Sequence, residues 1–183
     1  DIQDSVVGDV KEMYETKDVF KIVWEGLPCN LYQVKLISKV LRQLSQKYNI
    51  ELHIITDPFI PSALGNFFRI STKLEVEKIF HNTVFHEWNK ETLSEIVRNC
   101  DLAVIPVDMG YPLTSGKPEN KLLLFWRMGI TVITSNTHAY KEAMRKSGVN
   151  LTCSNHDDWF NKIQNLIINK ELGLTKNENP IQG

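Results

Sequence analysis

Short apolar runs alternate with amphipathic stretches along most of this chain. The apolar runs predict strands, and the stretches between them carry apolar residues every three or four positions, as on one face of a helix. The predicted strands cover 20–25, 50–55, 83–86, 101–105 and 130–134, with a weaker one at 149–153. Helical crossovers between parallel strands explain this alternation. The pattern therefore predicts an α/β, Rossmann-like, doubly wound parallel sheet of about six strands with helices on both faces.

Capping residues indicate where the helices begin. The candidates are Asn30 for the first helix, Thr92 or Asn89 for the helix ending near residue 99, Thr137 for the next-to-last helix and Asp157 for the last. A short helix is predicted at 72–79 and a longer one at 118–128. Proline and glycine predict long loops at 59–71 and 107–117.

The domain boundaries follow from where this alternation starts and stops. Residues 1–19 are polar and poorly patterned, which indicates a linker or the end of a preceding element. The Rossmann-like domain is expected at 20–172, and residues 173–183 are expected to form a flexible tail. The chain starts with Asp1 and not with Met, so we expect it to be part of a longer protein.

Composition narrows the function classes. The 183 residues include 42% hydrophobic and 23% charged residues, which suits one globular domain. A net charge of −1 gives no electrostatic case for nucleic acid or an anionic membrane. No apolar run is long enough to cross a bilayer. Three widely spaced cysteines favour a reducing compartment. We expect a cytoplasmic location, with the surface of the inner membrane as the alternative.

Several kinds of catalytic chemistry have no motif here. The chain lacks GxGxxG, a GxxxxGK[ST] phosphate loop, GxSxG and HExxH. We therefore predict no metal and no bound cofactor. Acids such as Asp101 and Glu87 are available, but no pattern pairs them. No catalytic residue is assigned from the sequence.

The segment 116–135, GKPENKLLLFWRMGITVITS, is the most informative stretch of the chain. A polar turn there meets a helix start, where free backbone N–H groups favour anions. Lys117 and Lys121 are four positions apart, so one helical turn can bring both ammonium groups to a diphosphate. Glu119 and Asn120 are candidate polar contacts, with Glu119 able to accept from a ribose hydroxyl. The alternative is a solvated helix start with ordinary surface lysines.

Other candidate residues follow predicted strands at the edge where doubly wound sheets bind ligands. Gly26, after the first strand, allows the backbone to approach a ligand closely, and Asn30 lies in the same turn. Glu87 and Trp88 follow the third strand, and the indole can stack on a base or a sugar. The alternatives are a plain strand-to-helix turn for Gly26 and core packing for Trp88.

The order of these segments resembles the C-terminal, nucleotide-sugar-binding domain of GT-B-fold, group-1-type glycosyltransferases. The matching stretches are CDLAVIP at 100–106, ENKLLLFWRMG at 119–129, ITVITS at 130–135 and NTHAYKEAM at 136–144. The resemblance covers roughly residues 20–170. It implies a domain that binds a nucleotide-sugar donor, while a second, N-terminal lobe outside this chain binds the acceptor.

By this resemblance, the chain takes part in moving a sugar from a nucleotide-sugar to a glycan or cell-surface polysaccharide. The loop from Lys117 to Lys121 would lie beside the diphosphate and sugar. Gly26 would face the diphosphate, and Glu87 and Trp88 would lie near the base. No metal is implied, and the isolated chain is expected to have little activity without the acceptor lobe.

Two other interpretations remain open. Many members of that family carry a glutamate that touches the ribose, and Leu124 occupies the corresponding position here. The turn LPCN after the first strand also lacks the family's Arg and Lys. These differences favour a non-catalytic GT-B-like domain that acts in assembly. A related sugar-nucleotide epimerase is the other alternative.

Overall fold

The computed structural model describes residues 19–60, 70–110 and 118–171. The predicted linker at 1–19 and tail at 173–183 fall almost wholly outside these ranges and remain predictions. The strands are β1 (Phe20–Glu25), β2 (Ile50–Thr56), β3 (Phe59–Ile60), β4 (Ile70–Ser71), β5 (Thr83–Glu87), β6 (Leu102–Ile105), β7 (Thr131–Ser135) and β8 (Thr152–Cys153).

The helices alternate with these strands. They are α1 (Leu31–Val34), α2 (Ser38–Leu44), α3 (Thr72–Val76), α4 (Lys90–Arg98), α5 (Asn120–Arg127), α6 (His138–Lys146) and α7 (His156–Glu171). Short 3-10 turns at Pro28–Asn30 and Lys35–Ile37 flank α1. The expected single helix after the first strand is therefore a run of shorter helical pieces.

Side-chain caps set the starts of three helices. The Asn89 side chain accepts from the backbone N–H of Glu91 at 2.8 Å, and that of Thr137 accepts from Tyr140 at 3.2 Å. The last helix is capped by Asn155, which accepts from the backbone N–H of Asp158 at 2.9 Å. The predicted cap Asp157 was wrong, because it lies inside the first turn. The Asn30 side chain makes no capping hydrogen bond to α1.

The main sheet confirms the predicted fold. Its strand order is β5-β2-β1-β6-β7-β8, and all neighbouring strands are parallel. The chain moves outward from β1 to β5 and then crosses back to β6 on the other side of β1. This reversal opens a crevice outside the carboxyl ends of β1 and β6, the usual ligand position in such sheets.

Hydrophobic clusters on both faces of the sheet form the core. Alternate strand residues point to opposite faces, so Ile22 packs in one cluster and Val23 in the other. The Ile22 cluster includes residues of α1, α2, α3 and α7, and the Val23 cluster includes residues of α4, α5 and α6. The helices thus cover both faces, as in a doubly wound fold.

The predicted loop at 59–71 differs from the structure at its two ends. There β3 and β4 form a separate antiparallel pair, with Phe59 opposite Ser71 and Ile60 opposite Ile70. The middle of this loop, 61–69, lies outside the described residues. The short helix that follows ends at Val76 instead of residue 79.

Candidate functional site

A cavity of about 670 Å³ opens at the carboxyl edge of the sheet, between the end of β1 and the start of α5. This volume falls in the range typical of small-ligand pockets. Its lining comes from several strand ends and helix starts. The residues are Glu25, Gly26, Leu27, Asn30, Asp57, Trp88, Pro118, Asn120, Lys121, Leu124 and Tyr140.

The structure brings most of the candidate residues together here. Gly26, Asn30, Trp88, Asn120 and Lys121 line the same cavity, although they are up to 95 positions apart, from 26 to 121. They meet because parallel strands end at one edge and each crossover helix starts beside it.

Two candidates lie elsewhere, and a third is not described by the structure. Glu87 ends β5 but does not line the cavity. Glu119 lines a second cavity of about 320 Å³ beside α5 and α6, together with Leu123, Trp126 and Glu142 among others. Lys117 lies outside the described residues.

The Lys121 side chain is bound to the last residue of β1. Its Nζ lies 2.8 Å from Oε2 of Glu25 and donates a hydrogen bond to the Glu25 backbone oxygen at 2.5 Å. The ammonium also lies 5.9 Å from the ring centroid of Trp24. The sequence predicts a Lys121 ammonium that can reach a diphosphate. In the structure the lysine is half-buried, with its side chain 31% exposed, and its ammonium is paired with a carboxylate.

The cavity wall around Gly26 is too crowded for a side chain at this position. Its N–H donates to the backbone oxygen of Ile55 at 3.2 Å, which holds the turn against β2. A Cβ at this position would lie 2.8 Å from the Trp24 ring and 3.3 Å from Nζ of Lys121. The missing side chain therefore leaves room for the Lys121 ammonium beside the backbone.

Trp88 and Asp57 come from neighbouring strand ends. The backbone N–H of Trp88 donates to the backbone oxygen of Thr56 at 3.0 Å. The residue as a whole remains 41% exposed. The predicted alternative of core packing is thus not what the structure shows. An exposed indole at a cavity wall offers a flat face to a ring-shaped ligand.

Tyr140 of α6 adds a phenol to the lining. Burial, and secondarily the negative charge of Glu119, raises the pKa of Tyr140 to about 12. The hydroxyl therefore keeps its proton at neutral pH and can donate a hydrogen bond. Leu124 supplies apolar surface to the same cavity.

The charged residues of the lining are Glu25, Asp57 and Lys121. With Glu25 and Lys121 paired, the remaining polar and aromatic side chains of the lining are an indole, a phenol, two amides and one carboxylate. This set suits a ligand that has hydroxyl groups and a flat ring. In the part of the chain that the structure covers, no group of three or more His, Cys, Asp or Glu is placed to hold a metal ion.

Comparison with known families decides what kind of domain this is. A model of the glycosyl transferases group 1 family matches residues 20–169. The chain belongs to this family. No curated protein matches the chain in sequence.

Solved structures agree with this family assignment at the level of the fold. A glycosyltransferase from Rickettsia africae has a TM-score of 0.63 at 10% identity, over 89% of this chain and 41% of that one. WaaG, a glycosyltransferase involved in lipopolysaccharide biosynthesis, has a TM-score of 0.57 at 13% identity, over 90% of this chain and 42% of that one. The chain thus spans less than half the length of these two proteins.

A third structure is itself a C-terminal domain. It belongs to a group 1 glycosyl transferase, LpcC, from Francisella tularensis, and has a TM-score of 0.54 at 12% identity. The match covers 88% of this chain and 82% of that domain. The predicted resemblance to the C-terminal domain of a GT-B, group-1-type glycosyltransferase is therefore confirmed.

The cavity of this group 1 domain also contains residues that the sequence did not single out. Glu25, Asp57 and Tyr140 line the cavity but were not among the candidates. Their positions at the end of β1, directly after β2 and near the start of α6 were a usable signal, because all three fall at the carboxyl edge of the sheet. Asp101, named in the sequence analysis as an available acid, precedes β6 and so lies at the opposite edge.

Within 19–60, 70–110 and 118–171, no helix of this group 1 domain is both long enough and apolar enough to span a membrane.

Proposed function

We propose that this domain binds the nucleotide-sugar donor of a glycosyltransferase, which moves the sugar to a glycan or cell-surface polysaccharide acceptor. The observation that carries the proposal is the 670 Å³ cavity at the carboxyl edge of the sheet, which collects Gly26, Asn30, Trp88, Asn120 and Lys121. Membership in the glycosyl transferases group 1 family supports the same reaction class.

The proposed roles follow from the chemistry of the lining. The exposed indole of Trp88 stacks on the base or sugar, and Asn30, Asn120 and Tyr140 hydrogen-bond to ligand hydroxyls. Lys121 and the N-terminal N–H groups of α5 lie closest to the phosphates.

The other sequence candidates have secondary roles in the proposal. Lys117 is an additional phosphate contact, and Glu87 and Glu119 contact the donor from outside the cavity lining. In the transfer step, cations and N–H groups stabilise the departing nucleoside diphosphate. We assign no nucleophile and propose no metal or cofactor beyond the donor substrate.

A second lobe is part of the proposal. The chain covers 41% and 42% of two glycosyltransferases of similar fold, which leaves more than half of each outside the match. An N-terminal acceptor lobe would supply the remainder, and the isolated chain would have little transfer activity. We also propose a cytoplasmic location, including the cytoplasmic surface of the inner membrane.

The proposal is tested by titrating the chain with UDP, GDP and ADP and with their sugar derivatives, using thermal shift and calorimetry. We expect one base to raise the melting temperature and the others to have little effect. Lys121→Ala should weaken that binding. Lys141→Ala, which removes an exposed lysine of α6 away from the cavity, is the matched control. Equal binding by the wild type and Lys121→Ala would contradict the role given to Lys121.

One alternative is favoured by specific observations. Leu124 contributes apolar surface to the cavity, and Glu25 neutralises Lys121. Both features suit a GT-B-like domain that has lost donor binding and acts in assembly. Absence of binding to every nucleotide and nucleotide-sugar would support this alternative.

A further inference from the structure

The Glu25–Lys121 pair places a carboxylate where the proposed donor needs positive charge. Glu25 is the last residue of β1 and Lys121 lies in the first turn of α5, so the pair bridges the two elements that frame the cavity. Their side chains are 15% and 31% exposed, respectively. An ion pair so shielded is screened less than a surface pair.

We propose that Glu25 sets the charge selectivity of this cavity by weakening the binding of the diphosphate group. This inference rests on the proposed donor-binding function. It assigns to Glu25 a role in specificity, exerted by the negative charge of its carboxylate and by its pairing with Lys121.

Geometry makes the competition unavoidable. Two oxygens that each contact one nitrogen at about 2.8 Å can be no more than about 5.6 Å apart. While Lys121 keeps its contact with Glu25, a phosphate oxygen bound to Nζ would therefore lie within that distance of Oε2 of Glu25. Like charges this close oppose binding, and Asp57 adds a second carboxylate to the same lining.

The uncharged parts of the ligand are not repelled by these carboxylates. A nucleoside offers only its base and ribose hydroxyls to Trp88, Asn30, Asn120 and Tyr140. The cavity therefore binds the nucleoside part of the ligand without opposition, whereas the charge of Glu25 lowers its affinity for the diphosphate part. One consequence is easier release of a nucleoside diphosphate after transfer.

The test is calorimetric titration of the wild type and Glu25→Gln with UDP, GDP and ADP, and with uridine, guanosine and adenosine. Gln keeps the length of the side chain and the backbone acceptor of Lys121 while removing the charge. We expect the diphosphate of the preferred base to bind roughly tenfold more tightly to Glu25→Gln, about 1.4 kcal/mol. Its affinity should also depend more steeply on salt, and the nucleoside should be unaffected.

Two further variants serve as controls for this result. Glu95→Gln changes net charge by the same amount on the exposed surface of α4, away from the cavity, and should bind as the wild type does. Glu25→Ala removes the same charge without adding an amide and should tighten diphosphate binding in the same direction. Damage to the fold would weaken the binding of every ligand, so it cannot explain tighter binding of the diphosphate alone.

The outcomes separate this inference from the proposed function. If the wild type binds a nucleoside diphosphate but Glu25→Gln and Glu25→Ala bind it no more tightly, only the role of Glu25 is overturned. Equal tightening of the uncharged nucleoside, or tightening by Glu95→Gln, overturns it as well. If the wild type and all variants bind no nucleotide, both the donor-binding function and this inference fail.

Discussion

Nζ of Lys170 lies 2.6 Å from Oδ2 of Asp101, and both side chains are more than nine-tenths buried. The same Asp101 oxygen accepts the backbone N–H of Lys21 at 2.8 Å. Asp101 directly precedes β6 and Lys170 lies in the last turn of α7. The pair therefore fastens the last helix to the amino edge of the sheet, opposite the cavity.

Removing Lys170 should destabilise the domain strongly. Lys170→Met leaves the Asp101 carboxylate buried without its cation, for which we expect a loss of about 3–5 kcal/mol in the free energy of unfolding. Urea denaturation followed by circular dichroism measures this loss. The double variant Asp101→Asn/Lys170→Met should recover much of it, because no isolated charge remains.

Lys141→Met is the control for this pair, since Lys141 is exposed on α6 and its replacement should change stability by no more than about 0.5 kcal/mol. A Lys170→Met chain that unfolds at the wild-type urea concentration would show that the pair does not hold α7 to the sheet.

Adding one methyl group at Gly26 should also be costly. The new Cβ would lie 2.8 Å and 2.9 Å from two atoms of the Trp24 ring, which is 3% exposed and cannot move into solvent. We expect Gly26→Ala to lower the free energy of unfolding by about 1–3 kcal/mol. Gly110→Ala is the comparison, because there the nearest atom is an Asp108 carboxylate oxygen at 3.2 Å. Similar costs for the two variants would contradict the crowding argument.

Stability should fall in mild acid because of a histidine pair. Nδ1 of His53 lies 2.8 Å from Nε2 of His86, and Nε2 of His53 lies 2.7 Å from Oε1 of Glu51. Burial lowers the pKa of both histidines below the usual 6.5, and repulsion between them lowers that of His86 further. For His53, the hydrogen bond to Glu51 only partly opposes this effect, and nearby Lys21 reinforces it.

The sign follows from proton binding. Below pH 6.5 these histidines bind protons more readily in the unfolded chain than in the folded chain. Their contribution to the free energy of unfolding is therefore fully present above this pH and is lost as pH falls toward the lowered pKa values. Urea midpoints between about pH 8 and about pH 5 measure the slope. His86→Gln should flatten it, whereas His81→Gln, at an exposed histidine, should not. A slope unchanged in His86→Gln would exclude the pair as its source.

The cap of α4 offers a comparison between two positions that the sequence left open. Asn89 accepts the N–H of Glu91, while Thr92 lies exposed within the helix. Asn89→Ala should therefore cost about 1 kcal/mol of stability, and Thr92→Ala no more than about 0.5 kcal/mol. Thermal denaturation of the two variants decides between them, and a larger loss for Thr92→Ala would reverse the assignment.

Much of the fold could be predicted because its signals are local. The apolar run at 130–134 and the amphipathic helix before it coincide closely with β7 and α5. The small β3–β4 pair could not be predicted in this way, because two-residue strands have no periodicity to detect. Asn155 was missed as a cap because the neighbouring Asp157 is an equally good capping residue in a sequence.

The sequence by itself determined the alternation of strands and helices, hence the doubly wound sheet, and the edge at which a ligand would bind. These follow from the spacing of apolar residues and from the general geometry of parallel crossovers. Only the tertiary structure decided that Lys121 is paired with Glu25, 96 positions away, and that Asp57 and Tyr140 join the same cavity. Side chains so distant in sequence meet through strand order and packing, which no local pattern encodes.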